Sequence, residues 1–157
     1  MKKFSTVIIL MLLTAMFVSA CSKSNSESNE QLIEKAESLF NEERSLSDKF
    51  DEDVVKLYSD EAEIKFVIIQ SGKKQEMKYG GKEFKEMVAR SMSLAKERND
   101  KDVYSDVKYE VLEDKRVKIT ANRYSNLYKY DSPFSCIVGP DTNGEWKFLK
   151  VDFEMHR

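Results

Sequence analysis

The spacing of apolar residues changes along this chain from a helical period to the alternation of strands. A first helix is predicted from a cap at Ser28 to about Arg44, a second short helix after Ser47, and a third over about residues 82–98. A hairpin over residues 62–79 separates the second helix from the third, and four strands fill the remainder. Helices followed by antiparallel strands predict an α+β fold in which one curved sheet wraps the helices.

Glycine-containing turns, and a shift in the apolar pattern of the last strand, mark the boundaries between these elements. Gly80-Gly81 ends the hairpin before the third helix, and Asn143-Gly144 supplies the positive-φ residues of a tight hairpin turn. In the last strand, Trp146 to Met155, the apolar pattern shifts phase after Phe148. Either both faces of that strand are covered, or a β-bulge redirects its side chains.

The first 20 residues have the layout of a secretory signal peptide. Lys2 and Lys3 precede an apolar run from Val7 to Val18, and small residues follow it. The run is about a dozen residues long, whereas a bilayer-spanning helix needs roughly 20. We therefore predict a leader at residues 1–20 that is removed, in preference to a retained membrane helix.

The residues at the predicted cleavage point, Val18-Ser19-Ala20-Cys21, resemble the lipobox of bacterial lipoproteins. The resemblance implies cleavage before Cys21 and acyl chains on that residue, which would hold the protein at a membrane. The alternative is an ordinary secreted protein in which Cys21 is incidental. Because Ser22 rather than aspartate follows the cysteine, the same resemblance implies the periplasmic face of the outer membrane in a two-membrane bacterium, and the outer face of the cell membrane otherwise.

The mature chain is predicted to be one domain, residues 30–157, on a flexible polar tether at residues 21–29. Without the leader and its two lysines it carries 24 basic and 28 acidic residues, a formal net charge of −4. Charges of both signs are mixed along the chain and form no basic stripe, which argues against a nucleic-acid partner. Cys136 lies in an apolar strand and is expected to be a buried, unreactive thiol.

Three stretches, taken in order, resemble the nuclear transport factor 2-like fold, the cone shared with ketosteroid isomerase and polyketide cyclases. They are Leu57 to Ile64 at the entry to the first strand, Tyr79 to Phe84 at the entry to the third helix, and Gly144 to Phe148 before the last strand. The resemblance implies a cavity between the sheet and the helices, and dimerisation through the sheet is common in that family. The alternative fold is a cystatin-like helix on an antiparallel sheet.

Strand alternation suggests residues for the wall of such a cavity. Counting from Val117 places Arg123 on the core side, and counting from Trp146 places Trp146 and Asp152 there. Arg123 and Asp152 could then meet at the wide end of the cone, but a structural ion pair or simple exposure at strand ends is the favoured explanation. Tyr124 could line the mouth of the cavity or a partner surface, as could the tyrosines that follow it.

No catalytic set, metal site or cofactor site is predicted. Asp51 and Asp53 favour the start of a helix over a metal site. His156, the single histidine, is next to last and is expected to be a frayed terminal residue.

Three hypotheses for function remain open. The first is a non-enzymatic, membrane-anchored protein that binds a small apolar ligand or an envelope protein. The second is a cofactor-free isomerase or hydrolase of the ketosteroid-isomerase type, which rests on analogy of fold. The third is a structural subunit of an envelope assembly.

Overall fold

The computed structural model describes residues 27–156, which form an α+β fold with helices packed on one curved, six-stranded sheet. This confirms the predicted fold class. The predicted leader, Cys21 and most of the tether lie outside the described residues. The elements, in chain order, are α1 (Asn29–Lys49), a 3-10 helix (Glu52–Leu57), β1 (Tyr58–Gln70), β2 (Lys73–Gly80), α2 (Gly81–Arg98), β3 (Asp102–Val111), β4 (Val117–Ser125), β5 (Tyr130–Pro140) and β6 (Trp146–His156).

The strands are ordered β2-β1-β6-β5-β4-β3 across the sheet. Four neighbouring pairs are antiparallel, whereas β1 and β6 run parallel. The parallel pair arises because two antiparallel units, the β1–β2 hairpin and the β3–β6 meander, join through their first and last strands. A parallel pair requires a long connection, and here the connection is the chain from β2 to β5.

The start of α1 follows the predicted capping box. The Ser28 side chain accepts a hydrogen bond from the Gln31 backbone N–H, and the Gln31 side chain accepts one from the Ser28 N–H. The helix extends beyond the predicted end to Lys49 and stops at Phe50, whose backbone is left-handed with φ of 55°.

The predicted second α-helix is a six-residue 3-10 helix. Asp51 begins it by accepting a hydrogen bond from the Asp53 N–H at 3.0 Å, which confirms that this acidic run marks a helix start. Among residues 27–156, no group of three or more histidine, cysteine or acidic side chains is placed to hold a metal ion.

A β-bulge interrupts the pairing of β5 with β6. Val138 pairs with Phe148 and Ile137 with Lys150, so Leu149 is the extra residue. Phe148 and Val151 are both buried although they are three positions apart, which confirms the bulge suggested by the sequence. Every side chain after the bulge lies on the face opposite to the one that simple alternation predicts.

The core lies between the helices and the concave face of the sheet. It contains residues from both helices and from strands β1, β4, β5 and β6, and Cys136 is buried in it as a free thiol, as predicted. No helix in the described part of the chain is long and apolar enough to cross a membrane.

Candidate functional site

A cavity of about 340 Å³ opens between the two α-helices and the concave face of the sheet. A smaller inner cavity of about 150 Å³ continues it toward the core. The surface of each cavity is mostly apolar, but the residues that the two cavities share include five with polar groups. The residues that line both are Glu43, Ser47, Phe84, Val88, Met92, Asp102, Tyr104, Arg123 and Phe153.

Arg123 is the buried cation of this site, and its side chain is 8% exposed. Its Nε donates to Asp102 Oδ2 at 2.7 Å, and its Nη1 donates to Ser132 Oγ at 3.1 Å and to the Glu154 carbonyl at 3.0 Å. These partners lie on β3, β5 and β6, so one side chain from β4 is bonded to three other strands. The carboxylate of Asp102 keeps the pKa of Arg123 above its ordinary value although burial opposes the charge.

Strand register explains why Arg123 reaches the cavity. Val117 and Ile119 are fully buried, and Arg123 continues the same face of β4. It lies opposite Tyr104 on β3 and opposite Ser132 on β5. Its guanidinium carbon is 5.3 Å from the centre of the Phe153 ring, a spacing at which a cation is attracted to an aromatic face.

Glu43 brings a carboxyl group into the cavity from α1. Its Oε1 accepts hydrogen bonds from Ser47 Oγ at 3.0 Å and from the Tyr58 hydroxyl at 3.2 Å. Burial raises the pKa of Glu43 above its ordinary value of 4.5; the two hydrogen bonds offset part of this effect, and the charge of Asp102 adds to it. Because both donors bond to Oε1, a proton on this group is expected to reside on Oε2.

Two tyrosines, the buried Tyr58 and the half-buried Tyr104, complete the polar side of the site. Burial, with the nearby charge of Glu43 as the next cause, raises the pKa of both Tyr58 and Tyr104 well above the ordinary value of 10.0. Both phenols therefore remain hydrogen-bond donors at neutral pH. Tyr58 donates to Glu43, whereas the Tyr104 hydroxyl has no hydrogen-bond partner among residues 27–156. The Tyr104 ring packs edge-on against Phe134, with the ring centres 5.0 Å apart.

The structure does not bring Arg123 and Asp152 together. Arg123 lines the cavity, but Asp152 lies on the other face of the sheet, where its Oδ1 is 3.2 Å from Lys65 Nζ. The expected contact is wrong because the bulge at Leu149 reverses the face of every later residue in β6. The ionic partner of Arg123 is Asp102 instead.

The two other predicted cavity residues do not line either cavity. Tyr124 follows Arg123 in β4 and points to the opposite face of the sheet. Trp146 is half-buried, and Lys35 Nζ lies 5.5 Å from its ring centre. Of the later tyrosines, Tyr128 and Tyr130 line the outer cavity.

His156 is part of β6, so the expectation of a frayed end is wrong. Its ring stacks on Tyr130 with the centres 4.6 Å apart, and its Nε2 lies 2.7 Å from Glu154 Oε1. His156 also pairs with Ile69 of β1 in the sheet. The strand continues because pairing and stacking satisfy residues that a free terminus would expose.

Sequence analysis missed Glu43, Asp102 and Tyr104. A signal for Glu43 was present, because it lies three residues after Phe40 on the apolar face of α1. The two β3 residues were hidden by an irregularity between Ser105 and Lys108, which reverses the alternation.

The chain resembles known proteins in its fold. No family model and no curated protein matches it. A protein from Novosphingobium aromaticivorans DSM 12444, provisionally assigned as a scytalone dehydratase, superposes with a TM-score of 0.54 at 12% identity, over 77% of this chain and 81% of its own. An NTF-2 like protein of unknown function from Shewanella oneidensis MR-1 gives 0.54 at 13% identity, over 78% and 98%. A domain with a cystatin-like fold from Nostoc punctiforme PCC 73102 gives 0.59 at 10% identity, over 81% and 78%.

Both predicted fold types, nuclear transport factor 2-like and cystatin-like, therefore occur among the structural neighbours. At these identities the likeness concerns the fold alone.

Proposed function

We propose that this protein binds a small, largely apolar molecule in its cavity while acyl chains on Cys21 anchor it outside the cytoplasm. The observation that carries the binding function is the cavity itself. Its volume of about 340 Å³ lies within the usual range of small-molecule sites, and apolar walls with a few convergent polar groups are typical of such sites. The nuclear transport factor 2-like fold supports this proposal, since a cavity between sheet and helices is a property of that cone.

Native mass spectrometry of residues 22–157, secreted without the lipid anchor, tests the binding function. We expect an additional mass that is lost on denaturation and that identifies the ligand. A protein that carries no ligand, and that takes up none from an extract of its own cells, would contradict the proposal. Cross-linking in the native membrane separates the other possibilities, because a captured envelope protein or a second copy of the chain would favour an assembly subunit or a homodimer.

Lipid anchoring is tested separately. Wild-type chain should incorporate a labelled fatty acid and sediment with membranes, and Cys21→Ser should do neither, because the acyl chains are the only anchor proposed. Cys136→Ser is the matched control and should leave both properties unchanged. Label on Cys21→Ser would contradict the lipobox assignment without affecting the binding function. The expected location is the cell envelope, on the periplasmic face of the outer membrane in a two-membrane bacterium.

A second candidate function is proton-transfer catalysis without a cofactor, as an isomerase, a hydrolase or a dehydratase. The observation that favours it is Glu43, a carboxyl group with a raised pKa whose Oε1 is held by two donors. A carboxyl group with a raised pKa is suited to general acid–base chemistry. Catalysis would be supported if the wild-type protein converts the identified ligand and Glu43→Gln does not. If the wild-type protein leaves the ligand unconverted, binding is its only function at this site.

A further inference from the structure

One side of the inner cavity is formed by Asp102, Tyr104 and Arg123, which we call the polar corner. Asp102 and Tyr104 are two residues apart on β3, and Tyr104 lies directly opposite Arg123 on β4. All three residues line both the outer and the inner cavity. The polar corner is thus a fixed group of side chains on two paired strands.

The polar corner has unused hydrogen-bonding capacity. Arg123 bonds through Nε and Nη1, and its Nη2 has no acceptor in the described part of the chain. Asp102 bonds through Oδ2, whereas its Oδ1 is enclosed and has no donor there. The Tyr104 hydroxyl makes no hydrogen bond to residues 27–156 either. Asp102 Oδ1 is buried, and buried polar atoms are normally bonded. With Arg123 Nη2 as an available donor, the corner can take a ligand group that both accepts and donates.

The charges of the inner cavity favour a neutral group. Its acidic and basic side chains are Glu43, Asp102 and Arg123. Arg123 and Asp102 already form an ion pair, and burial opposes the ionisation of Glu43, so a ligand ion would lose its hydration without meeting an unpaired counter-charge. An uncharged hydroxyl group loses less on leaving water.

We propose that the cavity selects an apolar molecule that carries an uncharged hydroxyl group, and that the polar corner is its specificity determinant. The ligand oxygen accepts from Arg123 Nη2 and its hydrogen is donated to Asp102 Oδ1, with the Tyr104 hydroxyl as a further partner. This inference rests on the proposed binding function. A site built to bond a hydroxyl group discriminates strongly against an analogue that lacks it, because its own polar atoms are then left unpaired.

Four probes with the same naphthalene ring test this selectivity on residues 22–157, once a cooperative thermal transition shows that this chain is folded. They are the naphthyl carbinol, ethylnaphthalene, naphthoate and naphthylmethylammonium, and their dissociation constants are measured by fluorescence titration. The carbinol should bind at least about tenfold more tightly than ethylnaphthalene, its isostere, and than either ion, as expected for hydrogen bonds to charged groups. Equal binding of all four probes, or a preference for an ion, overturns the proposed selectivity but not the binding function. If no probe binds, the result counts against the selectivity and the binding function alike.

Variants show whether the polar corner is responsible. Tyr104→Phe removes a hydroxyl that has no partner within residues 27–156, so it should fold normally and weaken carbinol binding by about three- to tenfold, with ethylnaphthalene unchanged. Tyr124→Phe, outside the cavity, is the matched control and should alter neither. Asp102→Asn removes the carboxylate beside Arg123 and should increase naphthoate affinity by about tenfold. If Asp102→Asn does not fold, the Tyr104→Phe variant tests the proposal by itself. An unchanged affinity of Tyr104→Phe for the carbinol would overturn the proposal.

Discussion

Glu43 is held where ionisation is unfavourable but where its neutral form is well accommodated. Burial raises the pKa of its carboxyl group, and the charge of Asp102 acts in the same direction. Hydrogen bonds from Ser47 and Tyr58 fix the orientation of the carboxyl group in either state. A carboxyl group whose pKa is raised in the folded state makes stability depend on pH.

The Glu43→Gln variant measures that dependence. A group whose pKa is raised in the folded state contributes stability that is complete below its unfolded pKa, near 4.5, and is lost as the pH rises through its folded pKa. Glutamine does not titrate and can still accept from Ser47 and Tyr58. The free energy of unfolding of Glu43→Gln minus that of wild type, measured by urea denaturation, should therefore increase as the pH rises above about 4.5.

Glu42→Gln removes the same formal charge from an exposed neighbour on α1 and controls for net charge. A difference between Glu43→Gln and wild type that is constant with pH would show that the Glu43 carboxyl group is not perturbed by burial.

Which face each side chain occupies could be predicted only as far as the first irregularity in a strand. Arg123 was placed correctly because β4 alternates without interruption from Val117. Asp152 was misplaced by the bulge at Leu149, and Asp102 was overlooked because β3 is irregular after Ser105. A bulge inserts one residue into a strand, so every later side chain lies on the opposite face. Each error is therefore a shift of one residue, which local composition does not reveal.

At the scale of elements, the junction between β2 and α2 depends on one close approach. A Cβ atom on Gly81 would lie 2.0 Å from the backbone oxygen of Ser59 and 2.9 Å from the nitrogen of Ala62. These backbone atoms belong to β1, so the first turn of α2 lies directly against that strand. The sequence showed that a glycine pair enters this helix, but not which glycine is needed.

The matched variants Gly81→Ala and Gly80→Ala separate the two positions. Gly81→Ala should lower the free energy of unfolding by about 3 kcal/mol, because backbone must move to admit the methyl group. Gly80 has φ of −76° and no atom within 4 Å of an added Cβ. Gly80→Ala should therefore change the free energy of unfolding by less than about 1 kcal/mol. Chemical denaturation of both proteins provides the measurement, and equal losses would show that α2 can shift away from β1.

Element boundaries followed local signals where these were strong. The cap at Ser28 lies where the sequence placed it, and the turn at Ser71-Gly72 falls inside the hairpin predicted over residues 62–79. The second helix was predicted too long, because Asp48 and Lys49 complete α1 and the following segment has room only for a 3-10 helix before β1. Tertiary packing set that boundary, and helical spacing alone could not.

At the scale of the whole molecule, the last strand in sequence is central in the sheet. β6 pairs with β1 on one side and with β5 on the other, so it joins the β1–β2 hairpin to the β3–β5 strands. It also carries Phe148 and Val151 into the core, and the Glu154 carbonyl that accepts from Arg123. The chain can therefore complete neither its sheet nor its cavity until β6 is in place.

A chain that ends at Glu145 should consequently lack a cooperative thermal transition, whereas one that ends at Met155 should retain it. Without β6 the remaining hairpin has no neighbouring strand, and two-stranded hairpins are marginally stable in water. Thermal unfolding followed by circular dichroism, with near-ultraviolet signals as the report on packing, distinguishes the two chains. Cooperative unfolding of the shorter chain would mean that the β3–β5 strands and the helices form a stable core by themselves, and that β6 completes the cavity without being required for the fold.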